Sequence, residues 1–246
     1  MKREGAALLF PLFLVLLVAA VALPILSVLL AVSPGEVIAA FGAPHVRDAV
    51  RTSFLASLMA TAAASVLGVP AGYAIAHARA RVRMAALFAL ALPLAFPPVA
   101  SGVMLLSFLR ATPVPETLVG VATAEFFVSG SFVAIAAAAA FSVLDPIYAD
   151  AARTLGASEW RIFLRVALPA AAGNVGAGIA FAWLRAIGEY GATSIVAYHP
   201  SSLPVQVYVT LSASGVREAL ALCYGFVVLA AIVLVLQWIL RRSMVQ

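Results

Sequence analysis

The sequence predicts an all-α integral membrane protein with about six transmembrane helices. Three observations predict it. Of the 246 residues, 65% are hydrophobic and only 10% are charged. Mean hydropathy is +1.11, more apolar surface than a soluble domain of this size buries. Several apolar runs also reach the roughly 20 helical residues that cross a hydrocarbon core of about 30 Å. Lipid leaves backbone groups only two ways to be satisfied, helices or closed barrels, and these runs are continuous rather than alternating, so they are helices.

In chain order the spans are expected at about 6–32, 50–76, 84–109, 119–144, 173–197 and 219–240. The first follows Lys2 and Arg3, the outline of a secretory signal. Its apolar run exceeds the roughly 7–15 residues of a signal core, so an uncleaved span is expected. The second carries Pro70-Ala71-Gly72, and the third carries Pro93 through Gly102, so a kink is expected there. The fourth holds Glu125, an acid with no evident transport role that either lies near an interface or pairs with another helix. The fifth holds Arg185 and Glu189, spaced four apart and so on one helix face; a charge in the bilayer costs at least about 3 kcal/mol, which favours pairing. The pair is either a pathway element or a packing ion pair that sets helix register, with Gly188 and Gly191 permitting close approach in both cases. The sixth holds Cys223, the only cysteine, expected as a small packing residue. One integral domain over 1–246 is expected, with no convincing internal repeat.

Charge placement sets the orientation. With the N-terminus in the cytoplasm, inside segments hold Lys2, Arg3, Arg79, Arg81, Arg83, Arg153, Arg161, Arg165, Arg241 and Arg242, and outside segments hold Arg47, Arg51, Arg110 and Arg217. That asymmetry follows the positive-inside rule and puts both termini in the cytoplasm. It also explains the formal charge of +5 without nucleic acid as a partner.

Between spans four and five lies a polar loop of unusual length, about 145–172. Residues 149–155 read as a short helix, with Ala151, Ala152 and Leu155 on one side and Asp150 and Arg153 able to meet on the other. Gly156 is a natural helix stop. Ser158 caps a second short helix from Glu159, with Trp160, Phe163 and Leu164 on its apolar face and Arg161 and Arg165 elsewhere, and Pro169 is expected to close it before the fifth span. Small side chains on an exposed helix let another protein approach closely; an amphipathic loop on the lipid surface is the plain alternative.

Catalysis by the chain is not expected. The only lysine is Lys2, so no phosphate-binding Walker loop is present. His45, His77 and His199 are scattered without a zinc-binding spacing, and no nucleophile elbow occurs, so no metal or cofactor is expected.

The segment Asp150-Ala151-Ala152-Arg153-Thr154-Leu155-Gly156, with Val166-Ala167-Leu168-Pro169 after it, resembles the cytoplasmic signature of ATP-binding-cassette (ABC) importer permeases. Asp150 stands for the usual Glu and Val166 for the usual Ile, both chemically conservative. Leu92-Pro93 through Pro97, Pro98 and Ala100-Ser101-Gly102 is similar to a pattern of sulfate and molybdate permeases. Gly188-Glu189-Tyr190-Gly191-Ala192, Tyr198-His199-Pro200 and the run Leu203–Tyr208 look like molybdate/tungstate permeases. The resemblance covers about 50–240 and implies a type I importer permease fold. It implies transport of a tetrahedral oxyanion, most simply molybdate or tungstate, with sulfate or another small solute as the alternative. The implied partners are a cassette ATPase dimer, an extracytoplasmic binding protein and a second copy of the chain in the cell membrane. It assigns Asp150, Ala151, Ala152, Arg153, Leu155, Gly156 and Ala157 to ATPase coupling, and Arg185, Glu189, Gly191, Pro97 and Pro98 to the pathway or to interhelix packing. An ATP-independent secondary carrier and a membrane scaffold without transport are the competing readings.

Overall fold

The computed structural model describes the backbone of residues 2–245 and the side chains of 10–239. The terminal basic residues Lys2, Arg3, Arg241 and Arg242 therefore have side chains outside the described residues. Among those described, the chain is helical throughout: α1 (Lys2–Ala31), α2 (Pro34–Gly42), α3 (Pro44–His77), α4 (Ala80–Ala95), α5 (Pro98–Leu109), α6 (Leu118–Ser142), α7 (Pro146–Thr154), α8 (Glu159–Ile162), a π turn (Phe163–Ala167), α9 (Leu168–Ile187), α10 (Thr193–Val196), α11 (Leu203–Ser214) and α12 (Val216–Val245). Five helices are long and apolar enough to cross a membrane, six if the bent pair α4–α5 counts as one span.

Three expectations are corrected. The third span is not a kinked rod: α4 and α5 meet at 104° across Phe96-Pro97. The Pro97-Pro98 pair removes two backbone donors in succession, and residues before proline avoid the helical region, so the helix stops rather than bends. The fifth span ends at Ile187, not near 197, and Gly188–Ala192 is irregular before the single turn of α10. Finally, Pro169 does not close the loop. It lies in the first turn of α9, and Glu159–Ile187 runs as one span through the π turn, where Leu168 N–H bonds Phe163 C=O. A wider turn placed just before a proline accommodates the donor it lacks.

The core is α3 packed on α6, with α9 laid across both. Small residues make this possible: a Cβ on Gly72 would fall 2.5 Å from Ala137 Cβ and 2.7 Å from Ala138 N, so the two backbones nearly touch. Hydroxyls on α3 tie the outer elements down. Ser57 Oγ accepts from Trp183 Nε1 at 2.9 Å, and buried Ser53 Oγ accepts from Leu203 N at 2.7 Å. Two shorter helices, α2 and α11, have no counterpart in the span prediction; their 9 and 12 residues are too short to register as spans.

Helix α2 is fixed by a capping box between Ser33 and Glu36 and by an ion pair from Arg217 Nε to Glu36 Oε1 at 2.8 Å. The Arg217 hydrogen bond, then the Ser33 N–H and hydroxyl, hold the Glu36 carboxyl down from 4.5 to about 2. Its stabilisation is present above pH 4.5 and is lost as pH falls through about 2. The thermal midpoint of the wild type should exceed that of Arg217→Met at neutral pH, with the gap closing across that acid window. A gap independent of pH would contradict the assignment.

Candidate functional site

Two regions gather the residues singled out in the sequence: an exposed elbow at α7–α8 and a junction of broken helices around Gly191.

Helix α7 begins where Asp145 accepts a hydrogen bond from Ile147 N–H at 3.0 Å, with Pro146 in its first turn. It ends in a Schellman motif: Ala157 N–H bonds Ala152 C=O at 3.1 Å, Gly156 N–H bonds Arg153 C=O at 2.9 Å, and Gly156 has φ +80°. Ser158 then caps α8, accepting from Arg161 N–H at 3.4 Å. The expected helix, glycine turn and helix are all present, with α7 starting three residues earlier. Arg153 binds the pieces together. Its Nη1 meets Asp150 Oδ1 at 2.7 Å, while its Nε and Nη2 grip both oxygens of Glu159 at 2.6 and 3.1 Å. Both prongs of that bridge are charge-assisted hydrogen bonds, which fixes α8 against the end of α7.

The elbow surface is open. Leu155 is 87% exposed, with Ile147, Tyr148 and Trp160 also exposed around it. Ile147 and Tyr148 were not picked out in the sequence, because they fall before the expected helix start. Beneath the surface, Ile162 and Phe163 are buried, whereas Trp160 and Leu164, expected beside Phe163 on one apolar face, are exposed. The Phe163 ring centroid lies 5.1 Å from Tyr73 on α3, 6.0 Å from Phe141 on α6 and 5.2 Å from Trp160. So α8 is the end of the span that continues as α9, and its first buried aromatic wedges between two further spans. A small cavity of about 120 Å³, lined by Tyr73, His77, Tyr148, Arg153 and Val166 among others, leaves room beside this aromatic cluster.

At the second region, buried Glu189 follows the end of α9 rather than lying within it. Its Oε1 accepts from Ala192 N–H at 2.9 Å, and its Oε2 pairs with Arg185 Nη1 at 2.5 Å. Arg185 sits in the last helical turn, where a cation meets the negative end of the helix dipole. The carboxylate therefore staples the end of α9 to the start of α10. Gly191 faces the other break: a Cβ there would lie 2.6 Å from Pro98 Cβ and 3.0 Å from Val99 N. Gly102 repeats the contact against Ala192 Cα at 2.9 Å. The structure thus brings Pro98, Gly191, Glu189 and Arg185 into one junction, with Pro97 exposed at its edge. Gly188 has no such neighbour, since a Cβ there would meet only Leu184 O at 3.5 Å.

Irregular backbone at membrane depth persists only where protein buries it or where it lines a polar passage. Two such breaks meeting face to face can hinge, because neither is committed to a continuous helical ladder.

Comparison with known proteins agrees with this architecture. The family model described as "Binding-protein-dependent transport system inner membrane component" matches residues 64–244. The molybdate/tungstate transport system permease protein WtpB of Thermococcus kodakarensis is 31% identical over 99% of both chains. A probable molybdenum ABC transporter permease protein of Haloferax volcanii is 35% identical over 87% of this chain and 83% of its own. A solved bacterial ABC transporter that imports the polysaccharide alginate shares the fold at a TM-score of 0.71, with 13% identity, over 100% of this chain and 98% of the matched one. The chain belongs to the family of inner membrane components of binding-protein-dependent transport systems.

Proposed function

We propose that this chain is the permease subunit of an ATP-driven importer for a tetrahedral oxyanion, molybdate or tungstate, and that it takes its mechanical input at the α7–α8 elbow. The observation that carries the proposal is the construction of that elbow: an exposed helix locked by Arg153 and Gly156 to a second helix that is itself the end of a span. A force applied at α7 is delivered to α9 without an intervening flexible linker. The similarity to molybdate/tungstate permeases over nearly the whole length supports the substrate class.

In this reading the elbow faces the cytoplasm, as the basic loops require. Two copies of the chain form the pathway, and a pair of cassette ATPases seats Asp150, Ala151, Ala152, Leu155 and Ala157. A binding protein delivers the anion outside. Closure of the ATPases draws the elbows together, turns α9 and opens the junction at Gly191 and Pro98. Arg185 lies beside that junction and is one-third exposed. Its charge is offset by Glu189, so a passing dianion meets a guanidinium that orients it without trapping it.

Proteoliposomes holding the chain, its ATPase and the binding protein test the proposal. Uptake of labelled molybdate should require ATP hydrolysis and be competed by tungstate more strongly than by sulfate. Uptake sustained by an ion gradient without the ATPase would establish a secondary carrier instead. The bridge within the elbow gives a finer check. Arg153→Glu should lower uptake roughly three- to tenfold, as expected for a partly exposed charged pair replaced by repulsion, and the double variant Arg153→Glu/Glu159→Arg should recover part of the loss. Absence of recovery would show that the bridge does not set the elbow geometry.

A further inference from the structure

Glu125 of α6 is fully buried, and among the described residues neither of its carboxyl oxygens has a hydrogen-bond partner. Protein encloses it on each side. Helices α3 and α6 run parallel, Gly68 meeting Ala134 and Gly72 meeting Ala138, a register that sets Glu125 level with buried Ala60 and Thr61. The span ending in α9 runs antiparallel to α6, Phe163 meeting Phe141 and Gly178 meeting Ala136, which brings the Gly188–Ala192 break to the same depth as Glu125. There Glu189 lies within electrostatic reach of Glu125. The hydroxyls of Thr61 on α3, Ser101 on α5 and Thr193 on α10 are also buried without partners among the described residues. The other ionisable groups on the packed helices are remote or engaged. On α3, His45, Arg47, Asp48 and Arg51 lie toward one end and Tyr73 and His77 toward the other, while α4 has Arg81 and Arg83 in its first turn. The span ending in α9 has Glu159, Arg161 and Arg165 at its far end and Arg185 bound to Glu189. Helices α5 and α10 have none.

Among the described residues the Arg185 guanidinium is thus taken by Glu189, and Glu125 has no cation of its own. An ionised acid left unpaired in an apolar interior is far costlier than a neutral one. We infer that Glu125 is a proton-binding site of the bundle: it stands as the un-ionised acid while Glu189 holds Arg185. Releasing that proton to solvent would leave an unpaired carboxylate buried between α6 and the junction and loosen the two from each other. The inference rests on burial in the bundle and not on the transported substrate, so it can fail while the importer reading stands.

Infrared difference spectra of the purified protein test it. At neutral pH the wild type minus E125Q spectrum should show the carbonyl stretch of an un-ionised carboxylic acid, shifted in heavy water. Loss of carboxylate bands alone would overturn the inference. Should E125Q fail to fold, a neutral-pH wild-type spectrum without an un-ionised carboxyl band would overturn it equally. Thermal unfolding gives a second readout. An unfolded glutamate releases its proton near about pH 4.3, so wild-type stability relative to E125Q should fall as pH rises above that value, by up to about tenfold in the folding equilibrium per pH unit. A difference flat across neutral pH would contradict the site.

Discussion

Replacing Gly156 with valine is expected to cut ATP-driven uptake about tenfold while the protein remains inserted and folded. At φ +80° the residue occupies the left-handed region, and the penalty for a Cβ there is about 1–2 kcal/mol. Valine adds β-branching. No atom lies within 4 Å of the position a Cβ would take, so the loss comes from backbone strain and not from a clash. Relief of that strain requires giving up the Ala157 to Ala152 and Gly156 to Arg153 hydrogen bonds, which frees α7 to swing relative to α8. Since about 1.4 kcal/mol is a factor of ten in an equilibrium, the elbow should spend only a minor fraction of time in its locked geometry. Asparagine tolerates the left-handed conformation and should retain most of the uptake. The measurement is uptake per ATP hydrolysed in proteoliposomes: valine should lower the ratio, because the ATPases still turn over while the push is not delivered. An unchanged ratio in the valine variant would remove the elbow from the mechanism.

At the junction, Gly191→Val should reduce uptake by tenfold or more and also lower the thermal midpoint. The Cβ would lie 2.6 Å from Pro98 Cβ and 3.0 Å from the Val99 backbone. Proline cannot rotate away, and moving Val99 N means moving the start of α5. Overpacking of a tight contact typically costs about 1–3 kcal/mol. Here it also separates the two breaks whose contact defines the closed junction. Gly188→Ala is the matched control, since its Cβ would meet Leu184 O at an ordinary 3.5 Å. It should behave nearly as the wild type in both assays. Equal damage from the two substitutions would mean that the whole segment is merely intolerant, and that the Gly191 to Pro98 contact has no special part.

The sequence shows the elbow more clearly than the junction, for a physical reason. Capping chemistry is local. Gly156, Ser158 and the pair Asp150–Arg153 act over three or four residues, so their spacing alone predicts the motif that forms. The Arg153–Glu159 bridge depends on how the glycine turn folds α8 back, and is not visible in helical spacing. Breaks inside apolar segments are harder to read, because hydropathy reports membrane depth and not helical continuity. Hydropathy therefore predicts a merely kinked third span and a fifth span that reaches 197, where the structure has breaks. Pro169 misled in the opposite sense, since a single π turn lets the helix pass it. The meeting of Gly191 with Pro98, and the burial of Glu125, depend on contacts between residues far apart in sequence, which no local pattern encodes.

Attachment of a photoactivatable cross-linker at position 152 tests the central claim most directly. The label would be carried by Ala152→Cys in a Cys223→Ser background, since Cys223 is the only native cysteine. In membranes containing the assembled transporter, illumination should join the chain to its cassette ATPase, with a yield that changes when ATP is added. Adducts only with lipid, or with a protein on the outer face, would contradict the account.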